Sequence, residues 1–180
     1  MQNRHLFIVT SIVIFAVLLR FLPHMPNMAP ITALAIFAAA YLPLRYAFGL
    51  IIVIRLISDY YLGFFELPLM LAVYLSHFAG IFVGYKIKQG AFKNKYAKVF
   101  LGSIGTAVLF YLLTNLVILY PDIYPQTVQG QITSYINAAP FIRGTLLGDV
   151  MYSLMFFGVY DLAVYLKKVQ LRKRLTYRNS

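Results

Sequence analysis

RFLPHMPNMAPITALAIFAAAYL, residues 20–42, joins two apolar stretches through a segment carrying Pro23, Pro26 and Pro30. Proline lacks a backbone donor and fixes φ, so prolines spaced this way end one helix and open the next. Arg20, His24 and Asn27 stand at that break, a polar mouth in an otherwise apolar run. The stretch after it is built from small residues, with Ala29/Ala33 and Ala35/Ala39 each four apart. That spacing puts each pair on one helix face, where a second helix can approach closely.

The composition around this stretch decides the class. The 180 residues are 61% hydrophobic and 12% charged, with a mean hydropathy of +0.76. A soluble domain has no core large enough for so many apolar runs, and in lipid only helices or closed barrels satisfy the backbone. The runs are continuous rather than alternating, which predicts helices. The expected class is therefore an all-α polytopic membrane protein forming one transmembrane domain over 1–180. Its six spans are placed near 6–22, 30–42, 44–58, 69–87, 99–120 and 142–166, with a basic tail at 167–180. The first span has the hydrophobicity of a signal peptide, but Arg20 and Pro23 follow it instead of a small-residue cleavage site, so it is expected to be retained. Within the 121–140 connection a short interfacial helix is expected near 128–138.

Six spans put both termini on one side. Arg4, Arg45, Lys86, Lys88, Lys93, Lys95, Lys98 and the six basic residues from Lys167 onward fall there, whereas Asp59, Glu66 and Asp122 fall opposite. The bias of lysine and arginine toward the cytoplasm then places both termini inside a bacterial inner membrane. The net charge of +11 reads as this orientation signal and as contact with anionic lipid, not as nucleic-acid binding.

Charged groups inside spans cost roughly 2.5–3.5 kcal/mol each near mid-membrane and need partners or water. Arg55 and Asp59, four apart, are expected to pair. Arg143 and Arg20 lie at outer span ends, placed either to snorkel to headgroups or to hold an anionic ligand. Asp149 sits six residues inward from Arg143, and Thr145, Asp149, Tyr152, Ser153 and Phe156 share one face, a polar stripe turned inward that suits a buried partner such as Arg55 or Arg20, a ligand contact or a proton relay. Asn115 lies in the outer half of span 5, suited to bonding across helices or to a ligand. Asp161 is expected to meet Lys167 or Lys168.

The chain has no cysteine, three scattered histidines, and neither a phosphate-cradling glycine loop nor a G-x-S-x-G elbow. Metal sites, cofactors and enzymatic catalysis are therefore not expected. The candidate ligand residues are Arg20, His24, Asn27, Asn115, Arg143 and Asp149, with Tyr60 and Phe64 expected to cover the ligand.

Size, helix number and the polar outer mouth resemble the substrate-binding (S) components of energy-coupling factor transporters. More closely, RFLPHMPNMAPITALAIFAAAYLP, the Thr114-Asn115 pair and APFIRGTLLGDVMYSLMFFGVYD resemble an uncharacterised bacterial membrane family grouped with those components. The resemblance implies vitamin or similar small-molecule uptake. It also implies a small-residue face, here Ala29, Ala33, Ala35 and Ala39, that docks on a transmembrane coupling subunit driven by two ATPases. S components carry that face on the first helix, whereas here it lies on the second. The competing expectation is a non-transporting membrane scaffold or cell-envelope assembly factor, with its polar groups paired internally and no ligand.

Overall fold

The computed structural model describes the backbone of residues 2–22, 27–90 and 94–178, and the side chains of 5–22, 27–90 and 94–170. Among the described residues there are six α-helices: α1 (Gln2–Phe21), α2 (Ile31–Tyr41), α3 (Leu44–Leu62), α4 (Leu67–Lys88), α5 (Lys95–Thr114) and α6 (Val128–Arg178). Their starts follow from local chemistry. Pro30, Pro43 and Pro68 open α2, α3 and α4, where the missing N–H is one the helix would leave unpaired anyway. Asn94 caps α5, its Oδ1 accepting the Ala97 N–H at 3.1 Å. Gly63, at φ +101°, ends α3 in a conformation other residues avoid.

Three helices, α4, α5 and α6, are long and apolar enough to cross a membrane; α1 from His5 and α2 are apolar but shorter. Leu71, Leu75, Phe82, Leu101 and Leu147 are more than half exposed, an outer surface suited to lipid and not to water. Arg55 and Asp59 of α3 are buried instead, while Arg45 at the start of the same helix is exposed.

The 11-residue α2 is the hub. Every residue from Ile31 to Ala40 is buried, and the helix touches all five others, most extensively α4. Small side chains make this possible. Gly80 and Gly84 of α4 lie one turn apart against Thr32, Ala35, Ile36 and Ala39, so two backbones meet with almost nothing between them. Phe37 then packs edge-on to Phe156 and Phe157 of α6.

At one end, Lys95 of α5 pairs with Asp161 of α6, Tyr96 donates to the same carboxylate at 2.7 Å, and His5 of α1 bonds Tyr160 at 3.1 Å. Lys88 reaches the Leu42 carbonyl there at 3.2 Å.

Several expected boundaries change. Span 5 stops at Thr114, where the chain leaves the helix and makes a short 3-10 turn at Val117–Leu119. The separate interfacial helix and span 6 merge into one helix running through Pro140, because losing one backbone bond does not outweigh the packing on either side. Asp161 meets Lys95 and Tyr96, not Lys167 or Lys168. Lys168 lies two turns on, roughly 10 Å along the axis, while α5 packs directly alongside.

Candidate functional site

At the opposite end, where α1, α3 and α5 finish and α2 and α4 begin, lies a cavity of about 280 Å³. Each of the six helices contributes to its wall: Arg20 from α1, Thr32 from α2, Arg55 from α3, His77 from α4, Thr114 from α5 and Asp149 from α6. The connections add Asn27, Ala29, Phe65, Asn115 and Tyr120. Its volume is near the lower bound for small-molecule pockets, roughly 300–1,000 Å³.

The α3 side is a charged cluster. Arg55 Nη2 lies 2.7 Å from Asp59 Oδ1, the i,i+4 pair that their spacing dictates. Tyr74 of α4 donates to the other Asp59 oxygen at 3.0 Å and presents its ring to the guanidinium at 5.5 Å. Asp59 is thus engaged on both oxygens. Arg55 is not saturated: Nη2 is held by the ion pair, but Nε is buried without a hydrogen bond. Arg20 lies within electrostatic reach of both Arg55 and Asp59.

The α6 side carries Asp149, 2% exposed. Thr32 of α2 hydrogen-bonds to it, while its Oδ2 is buried with no partner. Beside it, Gly148 lets the segment before α2 lie directly on α6, since a Cβ there would come within 3.0 Å of Met28 Cα. Asn27 enters that segment at φ +59°, the left-handed region that asparagine tolerates better than most residues. On α4, His77 Nδ1 lies 2.6 Å from the Val73 carbonyl and must therefore donate, so in the neutral ring Nε2 is an acceptor. The inward stripe of α6 is as expected: Thr145, Asp149, Tyr152, Ser153 and Phe156 are all buried.

Of the residues singled out in the sequence, Arg20, Asn27, Asn115 and Asp149 come together around the cavity. Asn115 turns its amide back to the Tyr111 carbonyl at 2.8 Å. Its own carbonyl accepts from Gln131 and Ser134, tying the end of α5 to α6. His24 lies outside the described residues. Arg143 is exposed and is not among the residues of the wall, since it is turned away from the face of α6 that carries Thr145 and Asp149. Tyr60 and Phe64 are 72% and 59% exposed and are not among the residues of the wall, whereas the neighbouring Phe65 is.

The small-residue positions divide. Ala29 lines the cavity, whereas Ala33, Ala35 and Ala39 are wholly buried, and α4 of the same chain fills the Ala35/Ala39 face. That face packs a helix, and a separate coupling subunit has no access to it here.

His77, Thr32 and Tyr74 were not among the expected site residues; each sits in an apolar run with nothing in its spacing to mark it. Gly80 and Gly84 did have a signal, the G-x-x-x-G spacing within span 4. Among the described residues no group of three or more histidines or carboxylates converges as a metal site would require.

The chain belongs to DUF6580, a family of unknown function, which it matches over residues 1–173. No curated protein and no solved structure matches it.

Proposed function

We propose that this member of DUF6580 is a six-span protein of a bacterial inner membrane with both termini in the cytoplasm, and that its cavity receives a small molecule from outside. The observation that carries this reading is the cavity itself, where among the described residues buried Arg55 Nε and Asp149 Oδ2 have no hydrogen-bond partner. Unmade hydrogen bonds on buried charged groups are costly, and a ligand or water that completes them repays the cost. Orientation is supported by charge: Lys88 and Lys95 lie at the end opposite the cavity, while Glu66 and Asp122 stand beside its mouth. The short α2 links the two ends, from Ala29 at the cavity to Leu42 beside Lys88.

Within this reading, the chain is the substrate-binding component for uptake of a vitamin or similar molecule, as its resemblance to S components suggests. If a coupling subunit with two ATPases serves it, that subunit docks on a surface other than the Ala35/Ala39 face. The paired Arg55–Asp59–Tyr74 cluster is the observation favouring the alternative, a non-transporting scaffold whose charges serve only to join helices.

A mild-detergent pull-down from native membranes, read by mass spectrometry for proteins and metabolites, separates these. A co-purifying metabolite is expected, with or without an ATPase module. Recovery of cell-envelope assembly proteins and no metabolite would overturn transport in favour of the scaffold.

A further inference from the structure

The chemistry of the cavity wall narrows what can occupy it. Arg55 and Asp149 are 5% and 2% exposed, and both line the space. A guanidinium only donates, and with Nη2 committed to the Asp59 ion pair the unpartnered Nε of Arg55 calls for an acceptor. The Oδ2 of Asp149 is buried without a partner, and an N–H or ammonium donor on a ligand would both complete it and favour its ionised, accepting form. The two demands are opposite in sign and sit on different helices.

Charge points the same way. Arg20 and Arg55 place two positive groups near the single negative charge of Asp59, while Asp149 contributes a carboxyl from α6. A simple anion would satisfy the arginine side but leave Asp149 Oδ2 without a donor. A simple cation would do the reverse. Phe65, Phe110 and Phe141 supply aromatic faces in the same wall.

Resting on the reading of this cavity as a ligand site, we propose that it takes a small amphoteric aromatic molecule. Arg55 holds the ligand's carboxylate or equivalent anionic acceptor, Asp149 holds its basic nitrogen, and the phenylalanines pack its ring. Charge-assisted bonds of both signs make the site selective against molecules that carry only one of the two groups.

The chain contains no tryptophan, so indole fluorescence from a probe reports without a protein indole background. The full chain in neutral phosphatidylcholine nanodiscs is titrated with L-tryptophan, N-acetyl-L-tryptophan and L-tryptophanamide, alongside metabolites released on denaturing protein purified from native membranes. Tryptophan is expected to bind at least tenfold more tightly than either capped form. Asp149→Asn, which keeps the side-chain shape, should abolish the penalty for capping the amine. Arg55→Lys should shrink the penalty for capping the acid, and Arg143→Gln should change neither.

Capped forms that bind as well as tryptophan would overturn the amphoteric assignment while leaving a ligand cavity in place. If no probe binds, a released metabolite carrying both an acidic and a basic group upholds the assignment, and one lacking either overturns it. No binding and no released metabolite would overturn the ligand reading as well.

Discussion

Replacing Gly84 by alanine tests the architecture at its tightest point. A Cβ on Gly84 would collide with the Ile36 carbonyl oxygen, the Ile36 carbonyl carbon at 2.9 Å and the Ala39 Cβ at 2.9 Å. Two of these three obstacles are backbone, so no rotamer change relieves them; α2 and α4 must separate. A gap of about 0.5–1 Å forfeits a quarter to a half of each contact's dispersion energy, and α4 is the neighbour α2 meets most. Overpacking typically costs about 1–3 kcal/mol, and backbone obstruction places Gly84→Ala at about 3 kcal/mol or above. The same helix supplies a graded control. At Gly80 the nearest atoms are 3.2 Å away, which a shift of a few tenths of an ångström accommodates, so Gly80→Ala should cost about 1 kcal/mol or less. At Gly105 of α5 nothing lies within 4 Å, and alanine there should be neutral or stabilising by up to about 1 kcal/mol. Thermal and SDS-induced unfolding of the three variants in detergent, followed by tyrosine fluorescence, gives the ranking. Equal stability of Gly84→Ala and Gly105→Ala would refute the close α2–α4 contact.

The remaining predictions concern the two polar clusters. Asp59→Asn leaves the buried Arg55 charge uncompensated and should cost about 3–5 kcal/mol; Tyr74→Phe removes one hydrogen bond and should cost about 1 kcal/mol. Equal losses in denaturant titrations would show that Asp59 acts through its bond to Tyr74 of α4 and not by compensating the buried Arg55 charge. At the lysine-rich end, Lys95 and Asp161 are about a third exposed, so Lys95→Met should cost no more than about 1 kcal/mol. A larger loss in the same titrations would mean that this end is better sealed from solvent than its exposure indicates.

What was legible in the sequence followed from local rules. Pro30, Pro43 and Pro68 set helix starts through their missing donor, and Arg55–Asp59 paired because four residues make one turn. The inward stripe of α6 obeyed the same periodicity. What was not legible depended on which helix lies opposite. Arg143 and Asp149 are six residues apart on one helix, and only the placement of α2 against α6 decides that the second faces a cavity and the first faces outward. Ala35 and Ala39 announced a close contact but not its partner, which Gly80 and Gly84 supply from 40 or more residues away. His77 is silent in sequence, since a histidine beside serine in an apolar run has no local reason to point at a shared space.

The unbroken course of α6 has a mechanical consequence. At 1.5 Å per residue its 51 residues extend roughly 76 Å, against about 40–45 Å for a whole bilayer with headgroups. The helix is longer than a bilayer is thick, with its cavity-lining residues in the first half and a train of basic residues at its C-terminal end. Pro140, the one interior residue lacking an N–H, lies on the N-terminal side of Asp149, so the run from Asp149 to the basic end contains no proline hinge. One continuous helix, with no loop between, therefore joins the carboxylate to that basic end.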